Sequence, residues 1–153
     1  MADVILFHSV LGLRPVERKA ADRLRAAGHD VTTPDLYAGE VAATLDEGFA
    51  LNDRIGWSVV ERRARDAARE RPTRTVLMGF SMGAAVVDAL LPDPAGWHAR
   101  ANSAGAAAEV FTYPGAGHFY LDADLPDHDE QATALTWRRV LEFLRTVRTT
   151  PRR

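Results

Sequence analysis

Short apolar runs and helix-period stripes take turns along this chain. Val4-Ile5-Leu6-Phe7 is an unbroken apolar run with a β-branched pair, the pattern of a strand covered on both faces. A loop from His8 to Arg14 follows, and Pro15 opens a helix at the position where a missing N–H costs nothing. Val16, Ala20, Leu24 and Ala27 recur at helical spacing, and Gly28 is placed to end that helix in a left-handed conformation. Residues 30–33 read as a second strand that stops at Pro34. Residues 38–54 hold no clear period and read as loop and short helix. A helix over about 55–70 places Trp57, Val60, Ala64 and Ala67 on one face. Residues 75–78 form a third buried strand, which runs without a break into Gly79-Phe80-Ser81-Met82-Gly83 and a small-residue helix over 84–91. Pro92-Asp93-Pro94 ends that helix. A helix over about 97–107, a fourth strand over 109–113 and a last helix over about 130–148 complete the pattern, the last with Trp137, Val140, Leu141, Leu144 and Val147 as its apolar stripe. Such alternation predicts an α/β fold, a mostly parallel sheet with helices on both faces.

Composition narrows this little but excludes much. A length of 153 residues points to a single domain, and 46% hydrophobic with 26% charged residues is a globular balance. A net charge of −2 gives no pull toward nucleic acid or an anionic membrane. The apolar run at Val4–Phe7 is too short for a signal segment or a spanning helix. The chain has no cysteine, hence no disulfide, no thiolate chemistry and no Cys-based metal site, and a cytoplasmic setting is expected. No histidine–carboxylate spacing such as H-E-x-x-H and no nucleotide fingerprint occurs, so no metal or cofactor is expected.

The chemistry concentrates at Gly79–Gly83. A G-x-S-x-G stretch between a buried strand and a helix forms a nucleophile elbow, which lifts a serine hydroxyl above the sheet and aims a helix N-terminus at it. Its glycines are expected where larger side chains would strike neighbouring backbone. The other reading is a tight strand-to-helix turn whose glycines serve packing alone. A serine needs a base. Of the five histidines, His29, His98 and His128 lie in ordinary surface contexts, and His8 precedes the serine. His118 follows the last strand in a Gly-rich loop, where a Ser…Asp…His order places its histidine. That order admits Asp93 as the acid, although Asp93 also suits the cap of the helix after it. Asp122 and Asp124 follow the histidine, and Asp35 sits in a stretch that looks structural.

Four pieces, Val4–Leu13, Gly28–Tyr37, Gly79–Gly83 and Tyr113–Phe119, together make the chain resemble the dienelactone hydrolase family of α/β-hydrolases. The resemblance implies Ser81 as nucleophile, His118 as general base, and an oxyanion hole from the backbone N–H groups of Met82 and Val10. Members that open dienelactones usually carry cysteine in the elbow and glutamate in the first loop. Here those positions are Ser81 and Ser9, which points toward a general serine esterase. The family also places one or two further strands between the elbow helix and the final strand. Here Pro92–Gly96 alone separates two helices, so the chain reads as a member lacking about one strand–loop unit. Counting directions, two helices joined this way send the next strand down antiparallel, with His118 at the wrong edge of the sheet.

The expected function is hydrolysis of a small ester or lactone through an acyl-enzyme on Ser81. The alternative is a non-catalytic α/β domain that keeps the elbow as architecture or as a ligand-binding turn. An anion-binding module is disfavoured, because the loop from His8 to Arg14 has one glycine and no phosphate-loop pattern. A lost sheet segment would bare an apolar edge, so association into a homo-oligomer is expected.

Overall fold

A computed structural model describes residues 1–72, 74–91 and 111–147. Its centre is β1 (Asp3–Phe7), whose residues Val4–Phe7 are fully buried, as their uninterrupted apolar character requires. β2 (Asp30–Thr32) and β3 (Val76–Gly79) flank it in the order β2-β1-β3, and both pairings are parallel. The register sets Val4 beside Val31 on one side, and Val4 to Phe7 beside Val76 to Gly79 on the other.

The path from β1 to β2 goes through α1 (Pro15–Ala26), and the path back across the sheet to β3 goes through α2 (Leu45–Ile55) and α3 (Trp57–Arg69). Right-handed crossovers in opposite senses put these connections on opposite faces. The packing agrees: α1 lies on β1 and β2, whereas α4 (Met82–Leu90) lies on β3 and β1 and against α3. The chain is thus a small α/β fold with a parallel three-stranded sheet flanked by helices. At the amino-terminal edge, the Arg71 guanidinium spans Asp3 and Asp30, at 3.2 and 2.9 Å, and ties the starts of two strands together.

Pro15 and Gly28 bound α1 as expected, with Gly28 at φ 90° just past its end. One reading is made more definite and one needs correction. Residues 45–55 form a full helix, and the next helix starts only after Gly56, which leaves Trp57 38% exposed rather than on the buried face with Val60 and Ala64. The period in 38–54 is obscured because Leu45 and Phe49 point to solvent while Gly48 and Leu51 face inward.

Contacts divide the chain into two compact units, the first holding the described residues through Leu91 and the second those from Phe111. In the second unit α5 (Glu130–Thr146) is capped by the Asp129 carboxylate, which accepts the Ala132 N–H at 2.9 Å, and it buries Trp137 and Leu144. Residues 111–113, expected in a fourth strand, are not in one. The Phe111 and Tyr113 rings meet α5. The Arg139 guanidinium sits 3.8 Å over the Phe111 ring and donates to the Tyr113 hydroxyl at 2.9 Å. Tyr113 then opens a turn closed by the Ala116 N–H at 3.1 Å. The expected helix over 97–107, with His98, and strand residues Glu109 and Val110 lie outside the described residues.

Candidate active site

β3 ends at Gly79, Phe80 follows, and Ser81 turns the chain into α4 with φ 52° and ψ −111°, left-handed backbone that few side chains tolerate. A side chain at Gly79 would overlap the backbone of Gly83 and Ala84, and one at Gly83 would come within 2.5 Å of the Phe7 carbonyl oxygen. Only bare backbone therefore lets α4 start so close to β1. Phe80 N–H to the Phe7 carbonyl at 3.1 Å, and Ala84 N–H to the Ser81 carbonyl at 2.8 Å, hold the bend. Its outcome is an exposed Ser81 side chain at the carboxyl edge of the sheet.

The loop after β1 reaches the same edge, because Phe7 pairs with Gly79. Its peptide N–H groups can be followed one by one. Ser9 and Arg14 donate to the two oxygens of Glu17, Leu11 donates to the Ser9 hydroxyl at 3.3 Å, and Gly12 donates to the Ser9 carbonyl at 3.1 Å. Val10 N–H meets no acceptor among the described residues, and neither does Met82 N–H at the first position of α4. Unpaired donors at a helix start and in an adjoining loop suit a developing oxyanion.

Buried polar groups set this edge. His8 is fully buried, accepts the Leu36 N–H on Nε2 at 3.0 Å, and so donates from Nδ1 to the Ser9 carbonyl at 2.7 Å. Burial lowers its pKa, against the opposing pulls of the Ser9 carbonyl and the Asp35 charge. Tyr37 stacks edge-on against His8, and its hydroxyl lies 3.3 Å from Asn52 Oδ1 and 3.2 Å from Met82 Sδ. Burial pushes that phenol up to about 12, so it stays neutral. Asp35 accepts the N–H groups of Tyr37 and Gly39, the structural use its sequence context suggested.

In the second unit His118 is exposed, with its ring edge-on to Phe119 at 4.9 Å between centroids. The Asp127 carboxylate accepts the Phe119 N–H at 3.2 Å and fixes the loop just after the histidine. Asp122 is buried and accepts the Asp124 N–H at 3.0 Å, a local turn bond. Ser81, Met82 and Val10 thus belong to one unit and His118 to the other. Among the described residues no group of three or more His, Asp or Glu side chains is placed to hold a metal ion, and no helix is long and apolar enough to cross a membrane.

Comparison with known families covers most of the chain. The model of the Dienelactone hydrolase family matches residues 1–102 and, in a second segment, residues 88–148. The chain belongs to the dienelactone hydrolase family. No curated protein matches it. The two dienelactone hydrolase segments overlap over residues 88–102, at the end of the elbow helix and before the histidine loop. This is the stretch in which the sequence pattern leads to the expectation of a missing crossing, and its residues from 92 on lie outside the described residues. Asp93, the expected acid, falls in it and outside the described residues. At the first-loop position where the family's lactone-opening members carry glutamate, Ser9 folds its hydroxyl back onto Leu11 N–H. Sequence reasoning passed over Glu17 and Tyr37. The acid three residues after Arg14 had the spacing of a capping box, but nothing in the sequence marked it as buried.

Proposed function

We propose that the chain is a serine hydrolase of the dienelactone hydrolase type, acting on a small ester or lactone. The observation that carries this reading is Ser81 itself, an exposed residue on a left-handed bend at the start of α4, with the next residue's N–H, that of Met82, meeting no acceptor among the described residues. Ser81 Oγ attacks the carbonyl carbon while His118 takes its proton. The carbonyl oxygen becomes an oxyanion held by the N–H groups of Val10 and Met82, each worth about 10²–10³ in rate where such donors have been removed. Collapse expels the alkoxide, protonated by His118; from a lactone it stays tethered to the acyl group. Water, deprotonated by His118, then releases the acid and restores Ser81. The chain order Ser…Asp…His gives Asp93 the task of orienting His118. The partners of this reading are the small ester or lactone and a second copy of the chain, with no nucleic acid and no membrane.

The test is Ser81→Ala. A fluorophosphonate probe should label the wild type and not the variant, and p-nitrophenyl acetate turnover should fall to the uncatalysed rate. Equal labelling of the two proteins sinks the proposal. A second reading, a non-catalytic domain that keeps the elbow as architecture, draws support from the family match falling in two segments that overlap at 88–102, between Ser81 and His118. Turnover that depends on Ser81 dismisses it.

A further inference from the structure

Glu17 is a fully buried carboxylate that the reaction above leaves unused. It is the third residue of α1, and its Oε2 accepts the Arg14 N–H at 3.0 Å, which is ordinary capping-box geometry. Capping alone explains neither its burial nor its second oxygen. Oε1 reaches back eight residues to accept the Ser9 N–H at 3.2 Å, and the Ser9 hydroxyl bonds to the carboxylate as well. The Ser9 hydroxyl in turn accepts the Leu11 N–H at 3.3 Å. One carboxylate therefore clamps both ends of the loop 9–14, and through Ser9 it brackets Val10 on either side. Burying a carboxylate is costly, and an exposed Ser or Asp cap would serve the helix more cheaply. The difference is spent on the loop.

We propose that Glu17 is the positioning residue of the oxyanion hole: its carboxylate holds the loop 9–14 in the one conformation that turns the Val10 N–H toward the substrate oxygen. This rests on the hydrolase reading above. Glu17 touches no reacting atom, and it acts through the peptide of Ser9. Burial raises its pKa above the usual carboxylate value, and the N–H groups of Ser9 and Arg14 offset only part of that by favouring the charged form.

Three variants decide it. Glu17→Gln keeps the shape and one acceptor but turns an amide N–H₂ toward one of the two peptide donors. Glu17→Ala removes both acceptors. Ser9→Ala keeps the Ser9 peptide N–H and removes only the hydroxyl relay, so it remains informative should the Glu17 variants fail to fold. In Glu17→Gln, kcat should fall about tenfold, less than the loss of a whole oxyanion donor, with KM within about twofold, since the contact matters in the transition state. Binding of an alkyl boronic acid, whose adduct on Ser81 places an oxygen in the hole, should weaken by the same factor, and Ser9→Ala should fall between wild type and Glu17→Gln. Amide hydrogen exchange of residues 9–14, measured without substrate, should speed up in Glu17→Gln while that of β1 stays slow. The proposal is overturned if boronate affinity holds while only the melting temperature drops, or if exchange in the loop is unchanged. Failure of the hydrolase reading looks different: wild type and Ser81→Ala would then label and turn over alike, and exchange would still decide whether Glu17 holds the loop.

Discussion

His8 shows how a residue without a catalytic part can still set the pH range of the site. Its two ring nitrogens are committed, Nε2 to the Leu36 N–H and Nδ1 to the Ser9 carbonyl, so the native fold holds it neutral. Burial lowers its pKa below the usual 6.5. The unfolded chain takes up a proton near 6.5 while the native chain resists, so the stability that His8 contributes is full above 6.5. It drains away as pH falls from there toward the lowered native value. The difference in unfolding free energy between wild type and His8→Phe, taken from urea titrations, should therefore shrink between pH 7.5 and pH 5.5. A difference that stays constant refutes the linkage. The sequence marked His8 as the end of a strand. It could not show the residue sealed beneath Tyr37, because that contact joins positions far apart in the chain.

At the scale of elements, α2 is the piece that closes the site from the side, and Gly48 is where it touches. A methyl group there would lie 2.9 Å from the Val10 carbonyl oxygen and 3.1 Å from Leu11 Cδ2. Replacing a mid-helix glycine by alanine ordinarily stabilises by about 1 kcal/mol, yet overpacking costs about 1–3 kcal/mol. Here the second effect should win, since the obstacle is backbone rather than a movable side chain. Gly48→Ala is expected to melt lower by circular dichroism and to turn over ester more slowly, and a higher melting temperature contradicts this. The strands and α1, α3, α4 and α5 were legible to within a few residues, because runs such as Val4–Phe7 and stripes such as Val60 and Ala64 carry their burial in their spacing. α2 was not, because its apolar side chains split between core and solvent: Phe49 is 57% exposed and Leu51 is buried. Residues 111–113 of the expected strand over 109–113 lie outside any strand, while Glu109 and Val110 fall outside the described residues. Phe111 and Tyr113 have strand-forming side chains, but strand formation needs a neighbour, and among the described residues α5 offers Arg139 instead.

At the scale of the whole molecule, β3 is the last strand of the sheet among the described residues. β1 is sealed on both sides, yet all four residues of β3 are only half-buried, and no strand pairs with the far side of β3 among the described residues. An apolar edge with open backbone groups recruits a further strand, and a second copy is the expected source. Sedimentation at tens of micromolar should find species heavier than the monomer, and a clean monomer speaks against it. The elbow has a consequence of another kind. Its shape comes from what Gly79 and Gly83 lack, while Ser81 is exposed. Swapping oxygen for sulfur at that single atom would leave the bend intact, so alcohol and thiol attackers can replace one another over evolutionary time while the two glycines beside them stand still.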